Sequence, residues 1–178
     1  MATYTPRLSD AGMANNRLWY SDNPFYTNGY GLPNCTCYCW GRFWEIAGGG
    51  SDTRPNLSTG NAEDWWGASD GYSRGSTPAL GATLCLADGP YSGEGHVATV
   101  EEIFPDGSIT VSESAWGYYY FKTERLYPPY YLTATGYIFQ GFIYNPYAGS
   151  TPVPPIPPAK RGIFIFKKKL WLIEKDLY

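Results

Sequence analysis

Apolar and polar positions divide the chain into stretches of different period. Residues 1–33 are polar and turn-rich, close on Tyr30-Gly31-Leu32-Pro33, and read as an irregular N-terminal approach. At Asn34 the pattern changes. Apolar and aromatic side chains at Cys35, Cys39, Trp40, Phe43, Trp44 and Ile46 share helical spacing, Asn34 is a good N-cap, and Gly48-Gly49-Gly50 stops the run. This predicts a helix of about three turns over 35–48. Residues 51–78 read as loop with a short helix around 60–66. Short apolar or alternating runs at 82–87, 96–104, 108–113 and 136–144 predict strands, with Asp106-Gly107 as a hairpin signal between the second and third. A helix followed by a sheet predicts an α+β fold.

Composition sharpens this picture in two places. Seventeen Tyr, seven Trp and eight Phe among many Gly and Pro suit short strands and an aromatic groove for sugar faces, although most rings in such a chain fill its core. The net charge of −3 offers no basic surface of the kind nucleic acid demands, which argues against that partner. No apolar run approaches the length of a membrane-spanning helix, and residues 1–10 lack the basic and apolar regions of a signal peptide, so synthesis in a cytoplasm is expected.

Four cysteines, at 35, 37, 39 and 85, form no pair of C-x-x-C hooks, so no metal and no cofactor are expected, and a cytoplasmic origin favours free thiols. Cys37, Cys39 and Cys85 read as packing. Cys35 differs, because it falls on the first helical turn, where unpaired N–H groups and the helix dipole lower a thiol's pKa. His96, in Gly95-His96-Val97, is the chain's one histidine, and Glu113 follows in Val111-Ser112-Glu113. A thiol, an imidazole and a carboxylate in that order are the parts of a cysteine hydrolase of papain-like type.

The hairpin tests whether these parts can meet. A two-residue Asp106-Gly107 turn pairs residue 113 with residue 100, leaving Glu113 roughly 13 Å from His96 along the strand. A register shifted by four sets Glu113 opposite His96, Val111 opposite Ala98 and Ile109 opposite Val100. Both keep the pair on one face. The turn chemistry favours the first and the catalytic chemistry the second, and the expectation taken here is the second.

Six ordered motifs resemble the CHAP family of cysteine, histidine-dependent amidohydrolases and peptidases. They are Asn34-Cys35-Thr36-x-Tyr38-x-Trp40-Gly41-Arg42; Gly60-Asn61-Ala62 with Trp65-Trp66; Pro78-x-Leu80-Gly81-Ala82; Gly95-His96-Val97-Ala98-x-Val100-Glu101; Ile109-Thr110-Val111-Ser112-Glu113; and Phe139-Gln140-Gly141-Phe142-Ile143-Tyr144. The resemblance implies a papain-like α+β fold in which a helix-borne cysteine faces a small antiparallel sheet. It implies Cys35 as nucleophile, His96 as base and then acid, Glu113 as the group orienting the imidazole, and bacterial peptidoglycan as substrate, as in phage endolysins and tail-associated lysins. Asn34 is either an oxyanion donor or only the cap. Asn61, Trp65, Trp66 and Trp116 are candidates for the substrate groove, with Trp65 and Trp66 equally suited to the core. The chain departs from the family at Cys37, Cys39 and Ala115, the last where members often carry Asn, and Ser114 is the replacement available. Some members bind calcium before the cysteine, but here Asp22, Asn23 and Asn28 are too few carboxylates for a hard cation.

The expected organisation is an approach segment over 1–25, a catalytic domain over 26–146, a Pro-rich linker over 147–158 and an apolar, basic tail over 159–178. The tail is too short to build a core and reads as a docking segment for a virion protein or a wall-binding module. The expected activity is hydrolysis of a peptidoglycan amide at the bacterial cell wall, after release or from a phage particle. The alternative is a catalytically retired CHAP module that only binds.

Overall fold

The computed structural model describes residues 4–89, 94–130 and 136–149. A one-turn helix, α1 (Pro24–Thr27), precedes the main helix α2 (Cys35–Ile46), and short 3-10 turns follow at Ser51–Thr53 and Ala62–Asp64. Six strands then build one antiparallel sheet in the order β1-β6-β2-β3-β4-β5: β1 (Arg74–Gly75), β2 (Thr83–Ala87), β3 (His96–Ile103), β4 (Ile109–Ala115), β5 (Tyr119–Leu126) and β6 (Ile138–Ile143). The α+β class and the cysteine-bearing helix laid on an antiparallel sheet are those expected.

The predicted helix ends two residues early, for a local reason. Asn34 caps its start by accepting the Cys37 N–H at 3.0 Å, and Gly48 and Gly49, both at positive φ, return their N–H groups to Glu45 and Trp44. The run around 60–66 forms only the three-residue 3-10 turn, because Trp65 leaves it to become wholly buried against Phe25. β1 and β5 were not anticipated, and β5 lies at the sheet edge with only Leu126 buried.

Side chains alternate between two cores. Cys85, Val97 and Ile143 face the cluster around α2, while Leu84, Leu86, Ala98, Val100 and Phe142 build a second cluster on the other face. Every α2 residue from Thr36 to Trp44 is buried, since the N-terminal segment covers the helix face turned away from the sheet. Met13 and Trp19 have no exposed surface, and the Trp19 indole donates to the Tyr38 carbonyl. A Cβ at Gly41 would lie 2.5 Å from that indole, so the glycine is what lets the segment close. Residues 4–23 form no helix or strand, and Met13 and Trp19 pack them against α2 as a further layer. The tail over 159–178 lies outside the described residues.

One buried ion pair joins helix to sheet. Arg42 on α2 grips the Glu101 carboxylate of β3 with Nε at 3.0 Å and Nη2 at 2.9 Å. The same carboxylate accepts the Tyr4 hydroxyl at 2.5 Å, the Arg7 N–H at 2.8 Å and the Ser112 hydroxyl at 2.6 Å. Removing one partner from such a pair strands a buried charge. Glu101→Ala is therefore expected to destabilise the domain by about 3–5 kcal/mol, read as a lowered urea midpoint; a loss under about 1 kcal/mol, the size of a surface pair, contradicts this role.

Candidate active site

The observed β3–β4 register is neither of the two considered. The turn has three residues, with Gly107 at φ +81° and the Phe104 N–H bonded to the Ser108 carbonyl, so Ile103 pairs with Ile109. A bulge at Glu101 then adds one residue to β3, giving Val100 opposite Val111 and Thr99 opposite Ser112. The expected pairing of Val111 with Ala98 and Ile109 with Val100 is thus corrected. Continued by one residue, this register sets Glu113 beside Ala98, diagonal to His96 on the same face. Long side chains reach across such a diagonal.

They meet here: His96 Nε2 lies 2.5 Å from Glu113 Oε2. The ring's other nitrogen is left for Cys35, and each of the two groups favours the charged form of the other. Tyr137 stacks on the imidazole with centroids 5.8 Å apart and planes 21° apart. Glu113 has no exposed surface, His96 is 5% exposed, and Cys35 reaches solvent in part.

The electrostatics separate Cys35 from its neighbours. Burial pushes its thiol up, but the His96 imidazolium and hydrogen bonds from His96 and the Val97 and Thr36 backbones outweigh that and hold it below the ordinary range. Burial, reinforced by the charge of Cys35, lifts Cys37 to about 12, and burial carries Cys39 and Cys85 up as well. All four thiols are free. His96 moves in the opposite sense to Cys35: burial opposes its charge, yet Cys35 and Glu113 raise it to about 10. Glu113 is held below the usual carboxylate range, since His96, Tyr119 and Lys122 overcome the cost of burying it. These shifts favour a thiolate on Cys35 and an imidazolium on His96, with the Glu113 carboxylate behind the ring.

The other expected residues divide. Asn34 Oδ1 is committed to the cap, accepting from the Cys37 N–H and the Thr36 hydroxyl. Asn61 is exposed and opens the 3-10 turn whose Glu63 N–H bonds the Glu94 carbonyl, two residues before His96. Trp65 lies in the core, not in a groove, and the half-buried Trp66 covers Gly141, where a Cβ would meet its ring at 2.4 Å. Trp116 is 59% exposed and pairs with Tyr30 across 6.3 Å. It shares a cleft of about 520 Å³ with Tyr26, Leu32 and Pro33, immediately before Asn34. Tyr26 and Tyr30 were missed, although their place just upstream of the cysteine motif was a usable signal. Ser114 is a brace, accepting the Asn34 N–H at 3.0 Å and donating to the Tyr119 carbonyl at 3.2 Å.

The pre-cysteine residues do not fit calcium. Asp22 pairs with Arg17, and buried Asn23 spends its amide on the Leu18 and Cys37 carbonyls and its oxygen on the Phe25 N–H. Among the described residues no cluster of three His, Cys, Asp or Glu is placed to hold a metal, and no helix is long and apolar enough to cross a membrane.

The family model of the CHAP domain matches residues 25–115, just over half the chain. The chain belongs to the CHAP domain family. This CHAP domain is 35% identical over 100 residues to the "Probable autolysin LDP" of Staphylococcus aureus, covering 55% of this chain and 33% of that protein. It is 34% identical over 118 residues to the staphylococcal secretory antigen SsaA of the same species, covering 65% of this chain and 40% of that protein. The chain thus spans about a third and two fifths of these relatives. A crystal structure of an N-acetylmuramoyl-L-alanine amidase from Staphylococcus aureus aligns at TM-score 0.47 and 23% identity, covering 64% of this chain and 31% of that one.

The CHAP site has a titration signature. Because Cys35 is lowered and His96 raised, the pH range in which thiolate and imidazolium coexist is widened, bounded below by thiolate protonation and above by loss of the imidazolium proton. Alkylation of Cys35 by iodoacetamide is expected to stay fast well below pH 8, and His96→Ala is expected to move its midpoint up towards the ordinary thiol value of about 8.5. A parent protein that already titrates at that ordinary value contradicts the ion pair.

Proposed function

We propose that this CHAP domain is a peptidoglycan hydrolase, a cysteine amidohydrolase that cuts an amide of the bacterial cell wall through an acyl-enzyme. The observation that carries the reading is the line Cys35–His96–Glu113, assembled at the start of α2 with only the first of four thiols activated. The name of the autolysin relative supports the substrate class. In this reading the Cys35 thiolate attacks the amide carbonyl, and the oxyanion forms beside the first turn of α2, with the Cys35 N–H as its donor. Asn34 would join only through its amide nitrogen, since its oxygen caps the helix. His96 passes its proton to the leaving amine, then takes one from the water that hydrolyses the thioester, while Glu113 holds the ring.

The cleft of Tyr26, Leu32, Pro33 and Trp116, with Tyr30 against the Trp116 ring, ends one residue before Asn34 and carries no charged lining residue, which suits a neutral sugar or stem-peptide face. The phage-lysin origin rests on the family resemblance alone, and the docking role of residues 159–178 on their composition.

Incubating purified Gram-positive peptidoglycan with the protein is expected to lower turbidity and release new amino groups, with Cys35→Ser slower by at least about a thousandfold. Fragment masses then distinguish cleavage between muramic acid and L-alanine from cleavage within the stem or cross-bridge. Binding without release by the parent across several wall types would sink the hydrolase and leave the binding module. Trp116→Ala is expected to raise KM several-fold with kcat nearly unchanged, the mark of lost uniform binding; a fall in kcat alone would remove Trp116 from the groove.

A further inference from the structure

Glu113 has two carboxylate oxygens, and the bond to His96 uses one. The other, Oε1, accepts the Tyr119 hydroxyl at 3.0 Å and lies 3.7 Å from Lys122 Nζ. Tyr119 also reaches the nucleophile. Its carbonyl accepts the Ser114 hydroxyl at 3.2 Å, and that hydroxyl accepts the N–H of Asn34, the residue before Cys35, at 3.0 Å. The hairpin creates both contacts. Pairing runs from Glu113–Lys122 to Ala115–Tyr119, so β5 carries one residue more than β4, and such a bulge re-aims side chains beside it.

We propose that Tyr119 is a positioning residue for the Cys35–His96–Glu113 line: its hydroxyl fixes the carboxylate plane, and its carbonyl, through Ser114, fixes the start of α2. A carboxylate anchored at one oxygen turns about a soft terminal torsion, and the imidazole turns with it. The Tyr119 hydroxyl removes that freedom, while Tyr137 bounds the ring on its face. Lys122, longer-ranged and with a side chain 43% exposed, adds charge without direction. Tyr119 stands on the edge strand and is itself partly exposed, so Tyr119→Phe keeps the shape and removes one hydroxyl. The inference rests on the reading of these three residues as the reactive line, not on the wall as substrate.

The test uses the full chain and needs no wall. His96 is the chain's one histidine, so its ring N–H proton is assigned without ambiguity by nitrogen-15 NMR. The parent is expected to show a slowly exchanging, downfield ring proton from the bond to Glu113. Tyr119→Phe is expected to broaden or lose it and to slow iodoacetamide alkylation of Cys35 roughly tenfold, the size of one lost charge-assisted hydrogen bond. Ser114→Ala, which cuts only the second arm, is expected to slow alkylation while leaving the ring proton in place. A folded Tyr119→Phe protein with both signals unchanged overturns the first arm, and unchanged alkylation in Ser114→Ala overturns the second. Loss of the ring proton in Tyr119→Phe, from a parent that cuts no wall, upholds the positioning role and sinks the hydrolase.

Discussion

The buried pair between Arg42 and Glu101 is the contact on which the site's geometry depends. Cys35 rides on α2, whereas His96 and Glu113 ride on β3 and β4, and a helix laid on a sheet by apolar contact alone can slide along it. A bidentate guanidinium–carboxylate bond fixes direction as well as distance. It is also bound to the register. Glu101 is the bulged residue of β3, and the Ser112 hydroxyl that reaches its carboxylate accepts in turn from Tyr38 on α2. Helix, bulge and neighbouring strand therefore lock together one turn or two from the reacting atoms.

Why bury so costly a pair? Two charges removed from water contribute little net stability once desolvation is counted, and an apolar replacement of the same shape often does as well. What the pair supplies here is a single permitted arrangement. The N-terminal segment adds to it, since Tyr4 and the Arg7 backbone complete the carboxylate's hydrogen bonds. An irregular stretch with little periodicity thereby becomes necessary to the position of a helix far along the chain.

This explains which parts of the site were legible in the sequence. The cap at Asn34, the helical spacing after it and the single histidine were local signals, and α2, Cys35 and His96 followed from them. Residues 4–25 were not legible as a packed layer, because Met13 and Trp19 are buried by contacts that no periodic pattern announces. The register failed for a related reason. Asp106-Gly107 is a turn signal, but turn length and bulge together set the pairing, and Glu101 bulges for a partner 59 residues away. β5 was missed since an edge strand half in solvent keeps neither a clean alternation nor an apolar run. Tyr119, on that strand, was lost with it.

The three thiols of α2 show how far position outweighs residue type. Cys35, Cys37 and Cys39 stand within two helical turns of one another, yet the first is pulled down and the other two are pushed up. Burial raises all three. Only Cys35 lies at the helix end, where His96 and the Val97 and Thr36 backbones favour its thiolate. Cys37 faces the Trp19 carbonyl, and Cys39 meets the Thr99 hydroxyl. A shift of α2 by one residue would bring Thr36, which carries no thiol, to the imidazole, and a shift by two would bring Cys37. The reactivity of one atom is thus set by the register of a helix, and that register is held by a charge pair seven residues along the same helix.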